Sequence, residues 1–456
     1  MNSRISPSAL RPSISLAAAL LLVALASGCA TYSNNTAKAR EMARSGNYDQ
    51  AIEQLNSLLK VKDGKALPDP FRKNDALVLL ERGMLHQARA DYAASQVDLQ
   101  AADKAIELLD FTGDVAGSIG KYIYSDSAGL YKISPTERLS LNSINVLNYL
   151  ANKDLRGARV EVRRFTTMRN FLKEYQPNSA HGAIGSYVSG FVMEKLGEGN
   201  SAMRYYDEAL EGRDLATLYG PIYELSKSVS YRGSNVTDFL SRGASRYHSV
   251  PMNPEQGEIL VVVAIGRVPY KMPKRIPIGA AVGIAGAYVT GDLKILERSA
   301  LKVVVYPELV PAGGIYSTAS VHVDGKRVLM EQVTDLGADI TKEYEAVKAR
   351  IIAAAVSRMI ARALVAEGAR KAGRQASPAV GVLAAVVAEG ALLVADKPDT
   401  RSWTLLPGRF FAARIRVDPG DHTVRIGLGT GDRTWSSTNV TVPKGGFAVI
   451  VATPLH

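Results

Sequence analysis

Cysteine is almost absent from this chain. Of its 456 residues only Cys29 is a cysteine, so no intramolecular disulfide can form, and core burial must stabilise the fold. Tryptophan is scarce as well, with two residues. The composition is otherwise that of a globular protein, with 46% hydrophobic and 22% charged residues, and the length allows two or three domains.

Recognisable motifs for catalysis are missing too. The six histidines do not occur at metal-ligand spacings, and we find no zinc-protease helix, nucleophile elbow, phosphate loop or dinucleotide-binding fingerprint. We therefore expect no metal, no cofactor and no enzymatic activity.

The N-terminus has the three parts of an export signal. Two arginines precede an uncharged apolar run from Leu16 to Ala26, which is short for a membrane-spanning helix of about 20 residues. Small side chains at Ala26, Ser27 and Gly28 then precede Cys29, and this arrangement resembles the lipobox of bacterial lipoproteins. The alternative is an ordinary secretory signal followed by a chance cysteine.

The lipobox resemblance implies a signal peptide over 1–28, palmitate-type acylation of Cys29, and a lipidated polar tether over 29–36. The residues after Cys29 are Ala30 and Thr31, not the aspartate that marks inner-membrane retention in enteric-type sorting. We therefore expect a protein that is lipid-anchored at the outer membrane and faces the periplasm.

Positive charge is in excess, with a formal net charge of +11. This balance suits contact with the anionic components of an envelope, whereas the export signal argues against nucleic acid as a partner. Arg156, Arg159 and Arg163 fall on one helical face by their spacing, and we expect them to contact an anionic partner. The alternative is a solvated face with internal partners such as Glu161.

Residues 37–250 have the pattern of a helical domain. Four segments can be superimposed on their small residues Ala51, Ser95, Ala158 and Ala202, each followed by apolar residues four and seven positions later. The segments resemble the second helix of tetratricopeptide repeats, although the small residues are separated by 44, 63 and 44 positions rather than the usual 34. A helical bundle without repeats is the alternative.

The second half changes its period. The run from Glu258 to Ile265 predicts a buried strand, and 339–370 predicts a long alanine-rich helix. We expect an α/β domain over 251–400, completed by β-strands over 401–456. The fold class is thus α+β multidomain, with an N-terminal α-helical array followed by an α/β domain with C-terminal strands.

Three further features of this half allow two interpretations each. The apolar run 276–289 is either a glycine-rich turn segment packed on the β-domain, which we favour, or a membrane-touching hairpin. The segment 380–395 is predicted to be a helix buried against 339–370, with membrane contact as the alternative. Trp403 is either a core residue or a recognition aromatic.

The helical run from Leu147 to Arg164, the strand that begins at Gly257, and the segment from Asp399 to Pro407 together resemble a family of uncharacterised proteobacterial lipoproteins with tetratricopeptide-like N-terminal halves. The resemblance implies an envelope role near penicillin-binding-protein activators, not a reaction. We therefore expect a periplasmic scaffold or adaptor that binds envelope proteins, with a role in cell-wall synthesis. The alternative is an oligomeric component of an envelope secretion or polysaccharide-export complex, and homo-oligomers fit both hypotheses.

Overall fold

The structure is a computed structural model. It describes residues 32–110, 131–175, 182–243, 253–289, 293–298, 303–312, 314–375, 378, 398–430 and 434–455. Cys29 and the segment 380–395 lie outside the described residues.

Contacts divide the chain into two compact units. The smaller unit comprises Met1–Asn35, Pro273–Pro307 and Ala349–Thr400, and the larger unit comprises Thr36–Met272, Glu308–Lys348 and Arg401–His456. The larger unit thus includes residues on both sides of position 250.

The first half of the chain is helical, as predicted. Its helices are α1 (Tyr32–Asn35), α2 (Ala37–Arg44), α3 (Tyr48–Leu59), α4 (Asp75–Ala88), α5 (Tyr92–Asp110), α6 (Pro135–Ala151), α7 (Leu155–Tyr175), α8 (Ala183–Lys195), α9 (Gly199–Ala209), α10 (Tyr219–Ser226) and α11 (Ser234–Gly243). Within the larger unit each of α2 to α9 packs on the next helix in the chain. Helix α7 contacts α6 more extensively than it contacts α8.

Four pairs of helices, α2–α3, α4–α5, α6–α7 and α8–α9, are joined by the same turn. In each, a residue with positive φ follows the first helix, and the next N–H reaches the carbonyl five residues back at 2.8–2.9 Å. This is a Schellman motif, which satisfies carbonyls at a helix end. The positive-φ residues are Gly46, Ala90, Lys153 and Gly197. The larger unit thus contains four equivalent helical hairpins.

The small residues of the four segments lie between packed helices. Ala51, Ser95, Ala158 and Ala202 are each fully buried on the second helix of a hairpin. The residues four positions later, Leu55, Leu99, Val162 and Tyr206, are buried as well. Residues with little side chain at these positions let the paired helices approach closely.

The strands are β1 (Gly257–Ile265), β2 (Tyr270–Pro277), β3 (Val303–Val310), β4 (Ala319–Val323), β5 (Lys326–Val328), β6 (Glu331–Asp335), β7 (Arg409–Val417), β8 (Gly420–Leu428), β9 (Thr434–Val442) and β10 (Phe447–Ala452). They form two four-stranded sheets, ordered β10-β1-β7-β6 and β5-β4-β8-β9, and the pair β2-β3. Only β10 and β1 pair in parallel among the four-stranded sheets of the described residues.

Strand β1 is buried along its whole length, which confirms the prediction from its β-branched run. Ile259, Val261 and Val263 point into the core between the two four-stranded sheets. On the opposite face Glu258 binds Lys195 of α8, while α6 packs on β10. The larger unit therefore has three layers, helices on a sheet on a second sheet, and the chain is a mixed α+β protein.

The segment that precedes β7 is held by carboxylates of the helices. Glu81 of α4 accepts hydrogen bonds of 2.7 Å from the N–H groups of Thr404 and Leu405, and Glu137 of α6 accepts one of 3.1 Å from Trp403 N–H. Burial raises the pKa of Glu81 to about 7, although the hydrogen bonds from Thr404 and Leu405 partly offset this increase. These bonds satisfy buried N–H groups that no strand partner reaches.

Strand β10 and the residue after it return to the second hairpin. Tyr92 Oη donates to the carbonyl of Val451 at 2.7 Å, and Thr453 Oγ1 donates to Gln87 at 2.9 Å. Contacts between residues more than 350 positions apart in the sequence therefore hold the helical layer on the sheet.

The smaller unit contains α12 (Ile278–Ala285) and most of α13 (Leu336–Arg374), a long helix that confirms the prediction over 339–370. The run 276–289 is not the turn that we favoured, because β2 runs to Pro277 and helix α12 follows it. One side of α12 is packed, with Ala281 and Ala285 buried. Among the described residues no helix is both long and apolar enough to cross a membrane.

A buried charge cluster joins the helices to the sheet. Arg414 of β7 binds Glu258 of β1 through two hydrogen bonds of 2.7 and 2.9 Å, and Glu194 of α8 through two of 3.0 Å. It also donates to Tyr206 Oη at 2.9 Å. Burial alone would raise the pKa of Glu258, but Arg414 and Lys195 hold it well below its usual range.

We predict that Arg414→Met lowers the free energy of unfolding by about 3–5 kcal/mol, because it leaves two buried carboxylates without their main cation. The loss should be larger at alkaline than at mildly acidic pH. Without Arg414 the folded-state pKa values of Glu194 and Glu258 rise above their unfolded values, so the variant loses stability as the pH rises through them. Denaturant unfolding at several pH values measures this. Arg416→Met, on the same strand, is the control, and equal losses in both variants would contradict the prediction.

Candidate functional site

The larger unit has an open groove of about 580 Å³ between the first hairpin, the connection that follows it, and the turn of the second hairpin. Its volume falls in the range of ligand-binding clefts, but its lining is mostly polar. Four acidic and three basic side chains line it: Asp49, Glu53, Asp63, Asp91, Lys62, Lys65 and Arg89. Both signs of charge are thus presented in one concave surface.

Two ion pairs cross the groove. Arg89 lies 2.6 Å from Asp49, and Lys65 lies 3.3 Å from Asp91. Three of the four side chains are more than a third exposed, so each pair contributes little to stability and can exchange its partner at low cost. Glu53 and Lys62 are exposed on the same surface. The rim can therefore rearrange around a charged ligand.

The floor of the groove, at Asn56 and His86, is buried, and Arg82 and Asp98 lie behind it. Arg82 binds Asp98 in bidentate fashion, with hydrogen bonds of 2.8 and 2.6 Å, and also donates to Asn56 at 2.7 Å and to the carbonyl of Ala66 at 2.8 Å. Arg82 and Asp98 are at most 1% exposed. Burial raises the pKa of Asp98 to about 6, although Arg82 lowers it. The guanidinium thus fixes the connection after α3 to helix α4.

His86 forms part of the same floor. Its Nε2 lies 2.9 Å from the carbonyl of Gly64, and because a carbonyl can only accept, this nitrogen carries the proton. Burial and the nearby Arg82 lower the pKa of His86, while the bond to Gly64 raises it in part. The imidazole is therefore neutral at physiological pH and acts as a fixed donor to the connection.

The predicted basic cluster lies on α7. Arg159 lies 2.5 Å from Glu198, while Arg156 and Arg163 are exposed on the same helix. Arg164 pairs with Glu161 at 3.4 Å, so internal partners do occupy part of this face. The structure does not bring these arginines into the groove, and their contact with an anionic partner stays a prediction.

Trp403 is fully buried, so it is a core residue, the first of the two interpretations that the sequence allowed. No group of three metal-ligating side chains occurs among the residues that the structure describes. The groove itself was missed by sequence reasoning. Its only signal was the dense run of charges from Lys60 to Lys65 after the first hairpin, which reads equally well as a solvated loop.

Comparisons with protein-family models, with curated proteins and with solved structures find no match for this chain.

We predict that His86 is mostly neutral, with its proton on Nε2, at about pH 6.5, where His422 is mostly charged. Burial alone would lower the pKa of His422, but its hydrogen bonds to Asp324 and to the carbonyl of Asp418 raise it. Nitrogen-15 NMR of the histidine side chains measures both, with His86→Gln and His422→Gln for assignment. If both rings titrate together, the groove floor is not built as described.

Proposed function

We propose that this chain is a lipid-anchored adaptor of the bacterial envelope, which faces the periplasm from the outer membrane and binds partner proteins with its helical hairpins. The observation that carries the proposal is the groove, in which exposed and exchangeable ion pairs lie over a buried, hydrogen-bonded floor. A fixed floor with an adaptable rim suits recognition of a charged segment of another protein better than catalysis.

The four hairpins support this function because stacked helical hairpins present extended surfaces to partners. We infer that they are tetratricopeptide-like repeats. Their common Schellman turn and buried small residues support the relationship. The separations of 44, 63 and 44 residues then require insertions between the repeats.

The groove also indicates what kind of partner it fits. Its two signs of charge favour a segment that carries both acidic and basic residues. Leu67 and Phe71, in the same connection between α3 and α4, are 40% and 42% exposed and offer an apolar contact beside these charges. Partners in cell-wall synthesis, among them penicillin-binding-protein activators, fit the envelope role that we propose.

We predict that a photocrosslinker at Glu53 or Lys62 traps one dominant envelope protein in living cells, because both side chains line the groove and are exposed. The same crosslinker at exposed Asn152, on the turn of the third hairpin, is the matched control. Mass spectrometry identifies the products. Identical diffuse products from all three sites would contradict a binding groove, and a ladder of self-crosslinks would support an oligomeric export component instead.

We predict that cells incorporate labelled palmitate into this protein only through Cys29, so that Cys29→Ser abolishes the label and leaves the precursor unprocessed. Labelling followed by membrane fractionation measures acylation and location in one experiment. A labelled Cys29→Ser protein, or wild-type protein released in soluble form, would contradict the anchor.

A further inference from the structure

The smaller unit is strongly basic. Its described residues include ten lysines and arginines but only three acidic residues. The basic residues are Lys274, Arg275, Lys294, Arg298, Arg350, Arg358, Arg362, Arg370, Lys371 and Arg374. The acidic residues are Glu297, Glu367 and Asp399. Basic residues thus outnumber acidic residues by seven among the described residues of this unit.

The same unit exposes apolar surface at and after α12. Ile284 is 48% and Tyr288 is 52% exposed. Gly279 and Gly283 face open space, because a Cβ at either position would meet no atom within 4 Å. Apolar residues exposed in a run without any charged side chain are costly in water unless another apolar phase covers them.

Cations flank this apolar run. Lys274 and Arg275 are exposed and precede α12 directly. Arg350 of α13 lies over the ring of Tyr288, with 5.3 Å between the guanidinium carbon and the ring centroid. An apolar helix bordered by lysine and arginine matches the boundary between acyl chains and phosphates in an anionic bilayer.

The start of the described chain belongs to this unit as well. Tyr32 is buried, and Ser33 Oγ donates to the carbonyl of Thr400 at 3.5 Å. Cys29 is three residues before Tyr32, a reach of at most about 10 Å. A lipid on Cys29 would therefore hold the smaller unit near the bilayer.

We propose that the exposed face of α12, with Lys274, Arg275 and Arg350, is a second membrane-contact site that binds anionic phospholipid. The placement of this site at the bilayer rests on the proposed lipidation of Cys29. At eight residues α12 is too short to span a bilayer, so Ile284 and Tyr288 enter the interface while the cations pair with lipid phosphates. Each paired cation strengthens binding about fivefold.

The test uses the chain from residue 29 onward with Cys29→Ser, so that no acyl chain contributes. We expect it to co-sediment with vesicles of equal parts phosphatidylglycerol and phosphatidylcholine, and to bind phosphatidylcholine alone much more weakly. Ile284→Asp should lower the partition coefficient by about tenfold, and Lys274→Gln combined with Arg275→Gln should lower it by about 25-fold, since two cations are lost. Because these positions are exposed, circular dichroism and the unfolding midpoint should remain unchanged.

Ile315→Asp is the matched control, since Ile315 is 71% exposed in the larger unit and should not affect vesicle binding. Equal losses in Ile315→Asp and Ile284→Asp would overturn the proposal, as would absence of vesicle binding by the parent chain. A vesicle-independent dimer that Ile284→Asp dissociates would also overturn it, by showing that a second copy covers α12. None of these outcomes bears on palmitate labelling, so failure here is distinguishable from failure of the proposed anchor.

Discussion

The buried guanidinium of Arg414 is the contact on which the larger unit depends. It lies on β7, binds a carboxylate of the neighbouring strand β1, and reaches Glu194 at the end of α8. A charge removed from water is tolerated only when every donor finds an acceptor, and here two carboxylates and a phenol supply them. Arg414 therefore couples the pairing of β7 with β1 to the position of α8 on the sheet. If either contact were missing, a buried carboxylate would lose its cation.

The segment from Trp403 to Leu405 depends on a similar use of charge. It enters the core without a strand partner, and carboxylates from α4 and α6 accept its N–H groups. Because charge-assisted bonds of this kind are strong in a low-dielectric interior, an irregular segment can be buried there. The indole of Trp403 then fills the core rather than facing a ligand.

Local patterns predicted the elements of the fold but not their assembly. The small residues of the four hairpins and the run of β1 follow from spacing within a few residues. The Arg414–Glu258 contact joins residues 156 apart, and the β10–β1 pairing joins strands from opposite ends of the second half. No periodicity encodes such partners.

The groove, too, could not be predicted from local sequence patterns. The charges between Lys60 and Lys65 are visible in the sequence, but their arrangement depends on Arg82, which fixes the carbonyl of Ala66 from the next helix. The lipidation that we propose at Cys29 is the opposite case, since it rests on a linear signal that enzymes would recognise before folding. The sequence is therefore most informative for a site that an enzyme would recognise in the unfolded chain.

The return of β10 to the second hairpin has a consequence for the order of folding. The bonds of Val451 to Tyr92 and of Thr453 to Gln87 connect an early hairpin with the C-terminal end of the sheet. The hairpins can form as they emerge, since their contacts are local, but their sheet-facing side has no cover until β10 arrives and pairs with β1. During delivery of the chain this incomplete intermediate exposes apolar helix surface and an open strand edge, the kind of species that holding chaperones bind.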